Sequence, residues 1–450
     1  MRDEAVRFLY DRINYERFAS MPYGERTLKL DRMRRLLHLL GDPQLQIPTI
    51  HIAGTKGKGS TGKILTSILQ ASGYRVGHFS SPHLERLEER FQINGLPCPE
   101  KTFIETVARI RPACEAMDRE SDEASPTFFE ATTALAWNYF IEEQVDFAIM
   151  EVGMGGRLDS TNVCNPFLTL ITSIGLDHTE QLGDTLEAIA GEKAGIVKPG
   201  IPVVSGVRED GPIAVIEEIC CKEDAPLVRR GVDFDLCPAS TGDDSAFDFL
   251  ANYEREDSRK IADLRISLLG KHQRDNAALA IASVDLIRQS GWNVPEESLR
   301  KGLATAKCPG CVEHVGQEPD IVLDGAHNEI SILALLETIK SHFKQSRPQR
   351  RLLFACAADK NPEAMLRVLL PHFGSVSFTK FTTSPRGSKP DDLVKIARGL
   401  EDRAYRVFSN PVDAWADLRQ HSTTHDLLCI TGSIYLAGEI RSILRDGITD

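Results

Sequence analysis

Apolar residues recur along this chain with two different periods, and the alternation between them sets the fold class. Leu30, Met33, Leu36, Leu37 and Leu40 fall at helical spacing with Arg34, Arg35 and His38 between them, and Gly41-Asp42-Pro43 stops the helix. The period then shortens. Thr49-Ile50-His51-Ile52-Ala53 is a β-branched run that ends in the glycine-rich string GTKGKGST. A second helical pattern (Ile64, Leu65, Ile68, Leu69) closes at Ser72-Gly73, so the unit reads strand, glycine loop, helix. Apolar runs at 76–79, 147–150, 167–174 and 201–204 predict further strands, separated by helical segments. Strands alternating with helices predict an α/β chain built on a mostly parallel sheet with both faces covered.

Residues 222–265 are acidic and polar without a long helical pattern, and predict loops and short antiparallel strands at the edge of the first domain. A helix is expected near His272, with Ala277, Ala280, Ile281, Val284 and Leu286 packing inward. A second α/β series follows, with strands predicted at 320–323, 352–355, 376–379 and 427–430. Between the two series, residues 305–318 show little periodicity and contain Cys308-Pro309-Gly310-Cys311. The expected organisation is a domain over 1–306, a linker over 307–318 and a smaller domain over 319–450, with no internal repeat.

Composition narrows the function classes. The chain has 450 residues, 53 Lys+Arg against 65 Asp+Glu, and a formal charge of −12. That balance argues against a general nucleic-acid binder, which needs a basic face to displace counterions. No run of about eighteen apolar residues exists to span a bilayer. The start, MRDEAVRFLYDRINYERF, carries charge where a secretory signal would be apolar. Ten cysteines scattered without a paired framework predict reduced thiols in the cytoplasm. The expected partners are small molecules, with no nucleic acid and no membrane, and the expected state is a monomer.

The string GTKGKGST carries the most chemistry. Backbone N–H groups of a glycine loop feeding a helix N-terminus form an anion cradle, and a lysine in it adds a mobile positive charge. The string departs from G-x-x-x-x-G-K-[ST], because Ile52 stands five before Gly57, Gly59 follows Lys58, and Ser60 comes one later. In this strand–loop–helix setting Lys58 would neutralise β/γ-phosphate charge and Ser60 would offer its hydroxyl to Mg²⁺. Two more predicted strands end in polar groups: Glu151 before Gly153-Met154-Gly155-Gly156, and Asp177-His178. Ligands of an open parallel sheet sit beyond the carboxyl ends of its strands, so the three loops are expected at one edge. Oxygens of Glu151 and Ser60 suit a hard cation, whereas His178 taken alone reads as structural. GMGGRL has its third glycine misplaced for a dinucleotide fingerprint. One C-x-x-C with His314 three residues on, and no second pair, is weak evidence for zinc and reads as unpaired thiols.

Ordered strings across nearly the whole chain then become specific. ERTLKLDRMRRLLHLLGDPQLQIPTIHIAGTKGKGST, SSPHLERLEERFQINGLP, FFEATTALAW, EVGMGGRLDSTNV, ITSIGLDHTEQLGDTLEAIAGEKAGIVKPG, GKHQRDNAALA, DGAHN and ITGSIYLAGEIR resemble folylpolyglutamate synthase/dihydrofolate synthase of the Mur ligase superfamily. The resemblance implies a P-loop Mur-ligase-like N-terminal domain and a smaller Rossmann-like C-terminal domain. It implies an ATP-dependent ligase joining L-glutamate to dihydropteroate, to reduced folates, or to both, through an acyl phosphate. Gly54, Thr55, Gly57, Lys58, Gly59 and Ser60 would hold ATP phosphates. Asn276 would lie on the adenine side and Asp324 near the ribose. Ser60, Glu151 and His178 match Mg²⁺ ligands, and Lys193 matches a lysine often carried as a carbamate, suited to a second Mg²⁺. Lys58, His178, Lys193 and His327 are the expected catalytic set. His327 and Ser433 belong to the glutamate side; Ser81, Pro82, His83, Phe129 and Asp159 match the pterin or folate pocket.

The departures are informative. Lys56 stands where the family usually has asparagine, Glu329 follows DGAHN in place of proline, and Cys311 replaces a linker arginine that reaches the ATP phosphates. Losing that guanidinium removes an always-charged, bidentate phosphate ligand. Two other readings therefore compete with the folate ligase: another Mur-type amino-acid ligase, and a nucleotide-binding paralogue with weakened catalysis.

Overall fold

A computed structural model describes residues 1–17, 30–241, 243, 245–252 and 259–447. Phe18 of the opening segment, the ERTLK start of the first matched string and parts of the acidic 222–265 stretch lie outside the described residues. The chain divides into two compact units. The first comprises Met1–His83, Leu87–Ser267 and Gln273–Lys307; the second comprises Leu84–Arg86, Leu268–His272 and Cys308–Asp450.

The first unit is built on eight strands: β1 (Thr49–Ala53), β2 (Val76–Phe79), β3 (Phe91–Ile93), β4 (Leu96–Pro97), β5 (Phe147–Glu151), β6 (Leu168–Ile171), β7 (Val203–Ser205) and β8 (Leu227–Arg229). Their order is β4-β3-β2-β5-β1-β6-β7-β8, with every neighbouring pair parallel except β2-β3 and β3-β4 at one edge. Strands β1, β5 and β6 are buried along their whole lengths, as expected of a parallel sheet covered on both faces. The helix Lys58–Ala71 buries Ile64, Leu65, Ile68 and Leu69, the four residues whose spacing announces it. Each such side chain contributes about 1.5–3 kcal/mol by leaving water. The helix Phe128–Glu142 is almost wholly buried and starts at a capping box, with Glu130 Oε2 accepting from the Thr127 amide at 2.7 Å. A separate antiparallel sheet, ordered β11-β10-β9, contains β9 (Phe234–Pro238), β10 (Ala246–Ala251) and β11 (Arg259–Arg265).

The second unit holds β12 (Glu313–Gly316), β13 (Asp320–Leu323), β14 (Arg350–Phe354), β15 (Ser375–Phe378), β16 (Arg406–Val407) and β17 (Leu427–Thr431), in the order β12-β13-β17-β14-β15-β16. Only β12 runs antiparallel.

Three of the departures from the hydrophobic pattern have a visible physical reason. β6 ends at Ile171 although the apolar run continues to Ile174, because the Thr172 and Ser173 hydroxyls turn to the carbonyl of Lys56. β7 starts at Val203, after Pro202, which has no N–H for a ladder. Within the aperiodic 307–318 segment, residues 313–316 form β12, a strand without alternation that a sequence pattern cannot reveal.

Candidate active site

β1 lies between β5 and β6, with Ile52 opposite Glu151 and Ala53 opposite Ile171. The chain leaving β1 at Gly54 therefore enters a crevice flanked by the loops that leave both neighbours. Gly54 has φ +152°, and a Cβ there would stand 1.9 Å from Thr172 Oγ1. Gly57 has φ +86°, and a Cβ there would stand 2.3 Å from Asn276 Oδ1. Both positions admit glycine alone. The loop is clamped to the segment after β6: the Thr55 amide donates to the Ser173 carbonyl at 2.8 Å, the Lys56 amide to Ser173 Oγ at 3.0 Å, and Thr172 Oγ1 to the Lys56 carbonyl at 2.7 Å. Gly57 caps the helix that begins at Lys58 and offers no side-chain acceptor. The first-turn N–H groups, together with the helix dipole, make the anion cradle. Ser60 sits in that first turn and is buried. Asn276 is also buried, its Nδ2 donating to Gln273 Oε1 at 3.0 Å and its Oδ1 facing Gly57.

Two ammonium groups converge on one carbonyl oxygen. Lys58 Nζ and Lys193 Nζ each donate to the Gly54 carbonyl at 3.0 Å. Burial, reinforced by the Lys58 charge, pushes the Lys193 pKa down to about 7. Folding therefore disfavours the protonated Lys193, and between pH 7 and 10.5 the unfolded chain binds the extra proton. The Lys193 contribution to stability therefore rises with pH across that window. In carbonate-free buffer, urea midpoints at pH 7 and pH 9 should show wild type gaining up to about 2 kcal/mol relative to Lys193→Met. Equal pH dependence in the two proteins would contradict this.

Glu151, the last residue of β5, is buried, and its Oε1 lies 3.9 Å from Lys58 Nζ. Its Oε2 would be 3.5 Å from a Cβ at Gly59, so the carboxyl group lies against the phosphate loop. Burial raises its pKa to about 7 despite Lys58. A desolvated carboxylate beside an anion cradle and a first-turn hydroxyl is a donor set that fits a hard divalent cation. His178 caps the short helix Thr179–Leu182 with φ 52°, and its half-exposed ring places Nε2 4.0 Å from Asp177 Oδ1. Asp177 Oδ2 in turn accepts from Lys56 Nζ at 3.0 Å, so the extra cation at position 56 is paired beside its own loop. Among the described residues no three His, Cys, Asp or Glu side chains form a metal cage. The expected trio includes only two residues of these types, Glu151 and His178, with the Ser60 hydroxyl as the third.

The residues expected at the pterin side fall in two groups. His83 Nδ1 accepts from the buried Arg90 Nε at 2.9 Å, and its Nε2 lies 3.4 Å from the Tyr10 hydroxyl. Arg90 also donates to Glu16 at 2.8 Å and lies over the Phe128 ring. The Ser81–Pro82 peptide bond, just before His83, is cis. Phe129 packs so tightly on Gly153 that a Cβ there would meet the ring at 2.5 Å. Asp159 is buried and engaged by its own loop: Oδ2 accepts from the Gly153 and Met154 amides at 3.0 Å each, and Oδ1 from Thr161. It braces the glycine string after β5.

In the second unit, β13 and β17 are parallel neighbours, so the loops carrying Asp324-Gly325-Ala326-His327 and Gly432-Ser433 leave the sheet side by side. A Cβ at Gly325 would lie 3.5 Å from Ile434 Cα. Asp324 is buried, with Oδ2 accepting from the Val312 amide at 2.8 Å and Oδ1 from the Ala326 amide at 2.9 Å. Burial raises its pKa to about 6, and those two amides oppose the shift. His327 Nδ1 pairs with the Gly325 carbonyl at 2.9 Å, and Ser433 caps the helix Ile434–Asp446.

Comparisons with known proteins give the family. Residues 52–284 match the Mur ligase middle domain and residues 311–445 match the dihydrofolate synthetase C-terminal domain. A Bacillus subtilis dihydrofolate synthase/folylpolyglutamate synthase is 38% identical over 421 residues, 92% of this chain and 95% of that relative. The chain belongs to the folylpolyglutamate synthase/dihydrofolate synthase family. A solved Thermotoga maritima folylpolyglutamate synthase is 31% identical, with TM-score 0.84 over 99% of this chain and 97% of that one. E. coli FolC in complex with DHPP and ADP is 28% identical, with TM-score 0.81 over 98% of each chain.

Sequence reasoning missed several parts of this family's scaffold here. Thr172, Ser173 and Gly175 clamp the phosphate loop, and a Thr-Ser pair directly after a strand was the available signal. Arg90 holds His83 and is itself held by Glu16, a partner 74 residues away for which the sequence carries no local signal.

Proposed function

We infer that this member of the family is an ATP-dependent ligase that joins L-glutamate to dihydropteroate, to (poly)glutamylated folates, or to both. The γ-phosphoryl group passes to the substrate carboxylate and gives an acyl phosphate. The glutamate amino group then attacks the acyl carbon, and phosphate leaves from the tetrahedral intermediate. Phosphoryl transfer draws mainly on positioning and charge stabilisation, which are the tasks assigned to the loop amides and Lys58. The observation that carries the reading is the phosphate loop clamped between β5 and β6, with two lysines on the Gly54 carbonyl and a buried carboxylate against Gly59.

In this proposal Gly54, Thr55, Gly57, Lys58, Gly59 and Ser60 hold the phosphates, with Asn276 and Asp324 elsewhere on the nucleotide. Ser60, Glu151 and His178 would hold Mg²⁺, which when bound supplies charge neutralisation at the phosphoryl oxygens. Lys193 would carry a carbamate. The lowered Lys193 pKa supports this, because the neutral amine is the form that adds CO₂. Ser81, Pro82, His83, Phe129 and Asp159 would shape the pterin side, and His327 and Ser433 the glutamate side. Residues 1–306 would form the nucleotide domain, 307–318 the linker and 319–450 the glutamate domain. The enzyme would act as a cytoplasmic monomer on small molecules. Among the described residues no helix is long and apolar enough to cross a membrane, and none of the ten cysteines is in a disulfide.

The deciding assay measures ATP- and glutamate-dependent product formation with dihydropteroate and with a reduced folate separately. Turnover of neither would favour the weakened paralogue that Cys311 brings to mind. For the metal, Glu151→Gln keeps the shape and removes the anionic oxygen. The Mg²⁺ concentration for half-maximal activity should rise about 10-fold or more with the thermal midpoint within a few degrees of wild type. An unchanged Mg²⁺ requirement would remove Glu151 from the metal site.

A further inference from the structure

Cys308 and Cys311 open the second unit as a tight turn, with the Cys311 amide donating to the Cys308 carbonyl at 3.2 Å and the two sulfurs 3.1 Å apart. Both side chains are partly exposed. The turn is bolted to the loop after β13. The Gly325 amide donates to the Gly310 carbonyl at 2.8 Å, and the Val312 amide to Asp324 Oδ2 at 2.8 Å. Gly310 has φ +73° and fits closely over Leu84. Any change in the 308–311 turn is thereby passed to Asp324 and to the loop that carries His327.

We propose that Cys308 and Cys311 are an oxidative modification site, closing to a disulfide by exchange with a low-molecular-weight dialkyl disulfide and thereby altering nucleotide binding. One thiolate attacks the small disulfide and releases one small thiolate. The second cysteine attacks the mixed disulfide and releases the other. The protein loses two protons and two electrons, and the small disulfide is reduced to two thiols. Closing the bond draws the sulfurs from 3.1 Å to about 2.05 Å, so the turn must tighten under the bonds it makes to Asp324 and Gly325. The pair is chemically distinct from six other cysteines. Cys98, Cys114, Cys164, Cys220, Cys356 and Cys429 are buried, and burial raises each thiol, Cys98 and Cys164 to about 12 and Cys114, Cys220 and Cys356 to about 11. The thiolate is the attacking form, so these six are poor competitors. Cys221 and Cys237 are more accessible but are not paired with each other.

The effect on nucleotide rests on the ligase reading above; the disulfide itself does not. The full chain is equilibrated with reduced and oxidised glutathione at graded ratios, alkylated and mapped by peptide mass, and ADP affinity is measured by calorimetry on the oxidised and reduced forms. The expected result is a 308–311 peptide that resists alkylation and is lighter by two hydrogens. ADP affinity should change by at least about 5-fold and return with dithiothreitol, while Cys308→Ser shows neither effect. Absence of the cross-link at every ratio, or a mixed disulfide that never closes, overturns the site. A cross-link with unchanged ADP affinity, or the same change in Cys308→Ser, overturns the regulation. A reduced protein that binds ADP but makes no ligation product would instead overturn the ligase reading and leave the thiol result standing.

Discussion

Lys58→Ala should cost more than about 100-fold in turnover while the protein remains folded. The side chain leaves the first turn of the helix Lys58–Ala71 and anchors on the Gly54 carbonyl, but the loop does not depend on it for shape. Its clamps are the Thr55, Lys56, Thr172 and Ser173 bonds, and its close fits are Gly54 on Thr172 and Gly57 on Asn276. Removing the ammonium should therefore leave the thermal midpoint nearly unchanged, and it should relieve Lys193 of its nearest like charge. The check is steady-state ligation beside a melting curve. Near-normal turnover in a folded variant would refute the role assigned to Lys58.

Lys193→Ala should lose about 10- to 100-fold in activity, with part of the loss restored by a small carboxylate such as acetate. A lysine whose pKa burial lowers to about 7, beside a phosphate loop, is poorly suited to act as one more cation. As a carbamate it becomes an anion, and the alanine variant leaves a space in which acetate can replace that charge. Activity assays with and without bicarbonate and acetate read this directly. Full activity in the variant, or a loss that neither anion repairs together with an unmodified wild-type lysine by mass, would oppose the carbamate. The pH–stability comparison of wild type and Lys193→Met tests the same desolvation without any turnover.

The α/β class, the phosphate loop and most of the parallel strands could be read from local pattern. Strands β5 and β17 are short apolar runs bounded by glycine or acidic residues, and β1 is a β-branched run ending at glycine; burial on both faces of the sheet favours such runs. Family-specific strings supplied the remaining residue assignments, because a role such as that of Asn276, whose Oδ1 faces Gly57, depends on a partner more than two hundred residues away. The strand Glu313–Gly316 was hidden, since a charged edge strand has no apolar alternation, and it becomes ordered through Glu313 pairing with Arg441 and through its ladder to β13.

What the sequence determined on its own was local chemistry. It specified which residues can adopt the left-handed loop, which hydroxyl and carboxylate follow a buried strand, and which cation enters the cradle, because these depend on neighbours a few residues apart. Only the tertiary structure decided how that chemistry is tuned. Placing β1 between β5 and β6 brings Lys58 and Lys193 to one carbonyl oxygen and Glu151 to the loop, and desolvation there moves a lysine and a glutamate from opposite ends of the pH scale to about 7. In the second unit, the loop after β13 is tied in the same way to the turn at Cys311, through the Val312 amide on Asp324. Charge state and hydrogen-bond partner are set by burial and by long-range neighbours, and a one-dimensional pattern contains neither.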